Sequence, residues 1–236
     1  MDEIKFIDLF AGIGGIRLGL EKAFVNHNIK SKCVFTSEID KFSNLTYSSN
    51  FKDEHEIFGD IKKVNHSTIP DHDILLAGFP CQAFSQAGKK RGFNDTRGTL
   101  FFDIAKILEV KRPKFFLLEN VKRLISHDKE NRKDKYGNTF LVIKDTLEKL
   151  GYNLYWKVLN SRDFGLPQNR ERVYIVGSLL NIDFKFPEPP MTPTLVSDIL
   201  EPNIDPKYTI SDKLWFGHVE RKKKNMLKGN GFGYGI

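Results

Sequence analysis

The sequence predicts a doubly wound, mostly parallel α/β sheet, on two observations. Short apolar runs alternate with amphipathic stretches of helical period through the first three quarters of the chain, and the first run passes directly into a glycine-rich turn that opens a helix. Residues 5–10 read as the first strand. A helix over 13–24 follows, because Ile13, Ile16, Leu20 and Phe24 recur at i, i+3, i+7 and i+11. Further strands are expected at 33–37, 73–77, 114–118, 154–159 and 173–176, and helices at 100–110 and 139–150. Helices of that length between strands call for right-handed crossovers, which make neighbouring strands parallel. After Gly177 the texture changes. Six of the ten prolines lie between Pro187 and Pro206, a density that forbids long helices and central strands. One domain is therefore expected over 1–186, with 187–236 beginning as an extended, Pro-rich linker.

Composition agrees with a folded chain. The 236 residues are 40% hydrophobic and 28% charged, ample for a core and too apolar for disorder throughout. No run approaches the ~18–20 apolar residues that cross a bilayer, and no apolar stretch follows a basic start. A cytoplasmic protein with no membrane partner is the expectation. Two cysteines, Cys33 and Cys81, make neither a disulfide framework nor a zinc site, so no metal is expected. The net charge of +7 is modest, but residues 211–236 hold six basic and two acidic residues, a net +4 of that total. Such a tail is either a solvated surface or a surface for phosphates.

The glycine-rich turn, Asp8-Leu9-Phe10-Ala11-Gly12-Ile13-Gly14-Gly15, lies where an open α/β sheet binds a nucleotide-like ligand. It is not the strict dinucleotide pattern G-x-G-x-x-G, since Gly15 follows Gly14 at once. Glu38 ends the second strand, where a carboxylate can accept from both ribose hydroxyls, and Asp60 follows the next apolar stretch, within reach of an adenine amino group. Ribose and adenine contacts without a pyrophosphate site favour S-adenosylmethionine over a dinucleotide.

The other polar groups gather at the same edge. Cys33 sits inside an apolar run and reads as a small buried hydrophobe. Cys81 follows a strand within Gly78-Phe79-Pro80-Cys81-Gln82-Ala83-Phe84-Ser85, where a thiolate is a credible nucleophile. Another strand ends in Glu119-Asn120-Val121, and Gln168-Asn169-Arg170-Glu171-Arg172-Val173-Tyr174 brings two arginines at alternate positions into the last strand.

These blocks, with Ser37-Glu38-Ile39-Asp40, Gly59-Asp60-Ile61 and Arg97-Gly98-Thr99-Leu100, resemble the cytosine-C5 DNA methyltransferases, close to the small bacterial modification enzymes. The likeness covers residues 4 to about 180 and keeps the family's order. It implies a Rossmann-like sheet of the S-adenosylmethionine-dependent methyltransferase type, duplex DNA as partner, and a place in a restriction-modification system. Alternatives are an RNA (tRNA) cytosine methyltransferase on the same residues, or a non-catalytic partner.

By this resemblance Cys81 is the nucleophile that adds to C6 of a flipped-out cytosine, Glu119 engages N3 and the exocyclic amine, Arg172 holds O2, and Arg170 positions the cysteine loop or the base. The cofactor residues it implies are Phe10, Gly12, Ile13, Gly14, Gly15, Glu38, Ile39, Asp60, Ile61, Pro80 and Leu100. Gln82, Ser85, Lys89 and Arg97 belong to a basic loop expected to close over DNA. Family members continue into a target recognition domain and two further blocks, of which residues 229–235 resemble only the opening. Either a truncated product or one subunit of a split enzyme is expected, the second requiring another polypeptide.

Overall fold

The computed structural model describes residues 3–80 and 100–229. Seven strands form one sheet: β1 (Ile4–Leu9), β2 (Ser31–Ser37), β3 (Ile57–Phe58), β4 (Ile74–Ala77), β5 (Phe115–Val121), β6 (Asn153–Asn160) and β7 (Glu171–Ser178), in the order β3-β2-β1-β4-β5-β7-β6. Helices α1 (Gly15–Asn26), α2 (Lys41–Asn50), α3 (Leu100–Lys111) and α4 (Asn138–Lys149) separate successive strands. The pairings β3–β2, β2–β1, β1–β4 and β4–β5 are parallel, and β5–β7 is antiparallel. From β1 the chain winds outward through β2 and β3, then returns to β4 on the other side. The topological switch point, where open α/β sheets bind ligands, is thus between the C-terminal ends of β1 and β4.

The parallel strands are apolar on both faces because both are covered. Ile7, Leu9, Leu75 and Ala77 pack with Phe101, Ile104, Ile107 and Leu108 of α3 and Phe140, Ile143 and Leu147 of α4. The alternate residues Phe6, Cys33 and Leu76 meet Ile16 and Leu20 of α1. Cys33 is buried as expected, which pushes its thiol up to about 11.

Asp8, 1% exposed in mid-β1, breaks the apolar rule. Its carboxylate accepts from Tyr47 Oη at 3.2 Å, and Tyr47 Oη also accepts from Arg17 Nη1 at 2.9 Å. Arg17 pairs with Glu21 one turn along α1 (2.8 Å) and with both carboxylate oxygens of Asp53, with Nη2–Oδ1 at 2.7 Å, and its guanidinium lies over the Phe51 ring at 4.1 Å. A buried ion cluster is therefore fastened beneath the glycine turn.

The chain divides into two compact units: Met1–Leu159 with Glu171–Pro187, and Asn160–Arg170 with Glu188–Ile236. Residues 160–170 thus cluster with the Pro-rich stretch rather than with the sheet. In this second unit the backbone N–H of Met191 donates to Asp163 O at 3.0 Å, and Asn160 Oδ1 accepts from the Arg170 N–H at 3.0 Å. Residues 212–227, read from sequence only as a charged tail, form a helix, α5 (Asp212–Leu227). Ser211 caps it through Oγ, and Pro206 lies before it, so no proline interrupts it.

Candidate active site

The glycine turn takes its shape from backbone that only glycine tolerates well. Gly12 has φ +55°, and Gly14 has φ +89° as the N-cap of α1. A Cβ on Gly14 would fall 2.2 Å from the Phe51 ring, the same ring that Arg17 holds. This conformation corrects the expected helix start. Gly14 cannot continue a right-handed helix, so α1 begins at Gly15, and Ile13 lies before it, 61% exposed rather than on a core-facing stripe.

Glu38 follows β2 and is fixed by backbone donors on both sides. Its Oε2 accepts from Gly12 N–H and its Oε1 from Asp40 N–H, each at 2.8 Å, while its own N–H donates to Phe58 O at 2.8 Å. Asp60 follows β3, its Oδ1 accepting from Lys62 N–H at 3.1 Å. Both carboxylates line a cavity of about 400 Å³ beside the switch point, together with Phe10, Ile39, Ile61, Pro80 and Leu100. Gly12, Ile13, Gly14 and Gly15, also expected at the cofactor, do not line it. Gly12 acts from behind, through its bond to Glu38.

Sequence reasoning missed four lining residues: Ser37, Gly59, Lys62 and Gly78. Ser37, Gly59 and Lys62 each adjoin a residue that was expected, and Gly78 lies two before Pro80. The link between the first two, Ser37 Oγ donating to Gly59 O at 2.8 Å, joins positions 22 apart and leaves no local signal.

Strand pairing explains a second constellation. In the antiparallel β5–β7 register Val121 faces Arg172, which puts Glu119 diagonally across on the same face. Arg172 Nε meets Glu119 Oε1 at 2.9 Å, with the two side chains 21% and 17% exposed. Glu119 also borders β4's end, its Oε2 lying 3.7 Å from where a Gly78 Cβ would be. Asn120, 3% exposed, points the other way and donates from Nδ2 to Phe79 O at 2.8 Å. That bond clamps the chain just before Pro80, where Phe79 also packs on Phe101 with ring centroids 5.9 Å apart.

Arg170 precedes β7 and falls in the second unit, where its backbone N–H donates to Asn160 Oδ1 at 3.0 Å. Cys81, Gln82, Ser85, Lys89 and Arg97 lie outside the described residues. Among the described residues, no helix is long and apolar enough to cross a membrane.

Comparison with known proteins gives the fold and the lineage. An Entamoeba histolytica methyltransferase structure superposes with a TM-score of 0.69 at 23% identity, covering 91% of this chain and 65% of that one. A Spodoptera frugiperda DNMT2 mutant gives 0.67 at 21%, covering 93% and 65%. Type II methyltransferase M1.ScrFI of Lactococcus lactis subsp. cremoris is 58% identical over 235 residues, 98% of this chain and 57% of that protein. M.NlaX of Neisseria lactamica is 57% identical over 233 residues, 98% and 71%. The chain therefore spans little more than half of the first relative and under three quarters of the second. The model of the C-5 cytosine-specific DNA methylases matches residues 4–236. The chain belongs to the C-5 cytosine-specific DNA methylase family.

Proposed function

We propose that the chain forms the catalytic and cofactor-binding part of a DNA (cytosine-5-)-methyltransferase, acting on a flipped-out cytosine in a specific duplex sequence. The bacterial relatives named above support a cytoplasmic, DNA-associated role in a restriction-modification system. The observation that carries the reading is the placement of two sets of polar groups at one sheet edge: the Glu38–Asp60 cavity at the switch point, and the Glu119–Arg172 pair at the end of the neighbouring strand.

The cavity residues fit S-adenosylmethionine. Glu38 already accepts one backbone N–H on each oxygen, and each oxygen keeps a lone pair for a ribose hydroxyl. Asp60 Oδ1 is similarly held, with acceptor capacity left for an adenine amine. The bound cofactor supplies a methyl group on a sulfonium centre. Cytosine C5 is too weak a nucleophile to take it unaided. In this reading the Cys81 thiolate adds at C6, and the ring electrons move toward N3 and O2, making C5 enamine-like. Glu119 engages N3 and the amine, and Arg172 neutralises charge at O2. The contact between these two side chains keeps both at the strand edge before a base arrives. After methylation, transfer of the C5 proton to a base and β-elimination expel Cys81 as the thiolate that began the cycle. Asn120 supports the sequence by fixing Phe79, two residues before Cys81.

Readout of a target sequence requires base-edge contacts. We assign these to polypeptide that the relatives carry beyond their match, whether joined to this chain or supplied as a second one. Duplex carrying 5-fluorocytosine in the target tests the reaction, because fluorine cannot leave as the proton does. Together with that polypeptide, the parent chain should form a covalent adduct and Cys81→Ser none. An adduct at parental level in Cys81→Ser would overturn the assignment, as would adduct on tRNA but not on duplex DNA.

A further inference from the structure

We propose that α5 binds the phosphate backbone of duplex DNA through one stripe of four cations: Lys213, Arg221, Lys224 and Lys228. The proposal rests on the reading of duplex DNA as substrate and deepens it by naming a contact surface outside the sheet.

In the sequence, residues 221–224 are an unbroken run of basic residues, which points nowhere in particular. Folding that run into a helix divides it. The steps 213, 217, 221, 224 and 228 are four, four, three and four residues, the spacing that keeps side chains on one side of a helix. Lys213, Arg221 and Lys224 thereby line up with Lys228 at the C-cap, over about 22 Å of axis at ~1.5 Å per residue. Gly217 lies between the first two and interrupts the stripe with no side chain.

Lys222 and Lys223 turn away. Lys223 Nζ instead holds Glu220 Oε1 at 2.9 Å, which lowers the Glu220 carboxyl and occupies the nearest acid. All four stripe cations are exposed, and among the described residues none is in an ion pair with a carboxylate. Two of them, Lys224 in the last turn and Lys228 at the C-cap, lie where the helix dipole favours positive charge.

Such a line of exposed cations, of which Lys224 also acts through space on Glu220, collects phosphates, because each phosphate contact releases condensed counterions. A basic helix with apolar residues can also lie on an anionic membrane. The duplex is favoured here because the cations form a narrow line rather than a broad polar face, and because the family acts on DNA.

The test is the affinity of the 236-residue chain for a fluorescent duplex of arbitrary sequence, titrated across a salt series. Lys213→Gln/Arg221→Gln/Lys224→Gln/Lys228→Gln is compared with a control that removes as much charge elsewhere, Lys144→Gln/Lys149→Gln/Lys222→Gln/Lys223→Gln. Circular dichroism checks that α5 persists, since Gln is as good a helix former as Lys. The log–log slope should fall by about 3.6 in the stripe variant, at ~0.9 per phosphate contact, and by less than about 1 in the control. Equal slope changes in the two variants would overturn the proposal. So would stripe-dependent binding to phosphatidylserine vesicles without binding to duplex. Loss of the Cys81 adduct with an intact stripe effect would sink the reaction and leave this surface standing.

Discussion

The cofactor edge of the sheet and helix α5 both present charge, and they are built in opposite ways. At the edge, Glu38 has a backbone donor on each carboxylate oxygen, and beneath it Asp8, Tyr47, Arg17 and Asp53 form a buried cluster. Along α5 no residue is buried, and the four cations of the stripe are aligned by the helix period. The first arrangement holds a group by directional bonds on both sides and commits buried charge to do so. The second tolerates motion, which suits a polyanion whose phosphates repeat. Buried polar clusters are expensive to break, whereas exposed cations act mainly through counterion release.

The largest effect expected from this contrast is a pH dependence confined to the edge. Burial raises the Asp8 carboxyl to about 7, with the Tyr47 hydrogen bond and the Arg17 charge opposing it. In the unfolded chain an aspartate titrates at ~3.9. Between those values the folded state binds more protons than the unfolded one, so this contribution to stability is full below about pH 4 and is lost as pH rises through about 7. At ~1.4 kcal/mol per pKa unit the swing is up to about 4 kcal/mol. Asp8→Asn keeps an acceptor for Tyr47 and removes the titration. Urea unfolding at about pH 5 and about pH 8 should therefore show a smaller difference in Asp8→Asn than in the parent. An identical difference in both would mean that the cluster does not hold a proton.

Next in size is the cofactor itself. Glu38→Ala and Asp60→Ala should each weaken S-adenosylmethionine binding by roughly 1.5–3 kcal/mol, or about 10- to 150-fold. Calorimetry on the 236-residue chain measures this, and the stripe substitutions in α5 should leave that affinity unchanged. If Asp60→Ala binds as the parent does, the cavity holds something other than an adenine there.

The two regions also differ in how far the sequence reveals them. Strand ends were legible because apolar runs stop visibly: Glu38, Asp60 and Glu119 each follow or end such a run, and the observed strands overlap all six expected ones. Helix α2 was not legible, since its exposed Phe42 and Leu45 and buried Tyr47 give no clean stripe. The Arg17 cluster was hidden for another reason: its members come from β1, α1, α2 and the segment that follows, so no window of sequence contains them. The start of α1 depended on a positive φ at Gly14, which the periodicity of Ile13 and Ile16 masked. In α5 the charges were counted correctly, but their stripe needs the helix phase. The preceding prolines had suggested extended chain, and they stop at Pro206, before the Ser211 cap.

The smallest expected effect tests whether α5 stands on its own local interactions. Ser211 Oγ accepts from Leu214 N–H at 3.4 Å, a long bond that satisfies one of the helix's otherwise unpaired first-turn donors. Asp212 in the first turn adds favourable charge at the positive end of the dipole. With no buried residue on the helix, these terminal interactions weigh more than they would on a helix packed into a core. Ser211→Ala should cost about 1 kcal/mol of helix stability, near the middle of the range for N-cap removal. Amide exchange in the first two turns of α5 should quicken about fivefold, the factor that about 1 kcal/mol gives when reclosing is fast and exchange follows the opening equilibrium. Exchange in β1 and β4 should not change, because their protection comes from the sheet core. Faster exchange in those strands as well would mean that α5 shares a cooperative unit with the cofactor edge, and that the contrast between the two regions is one of surface only.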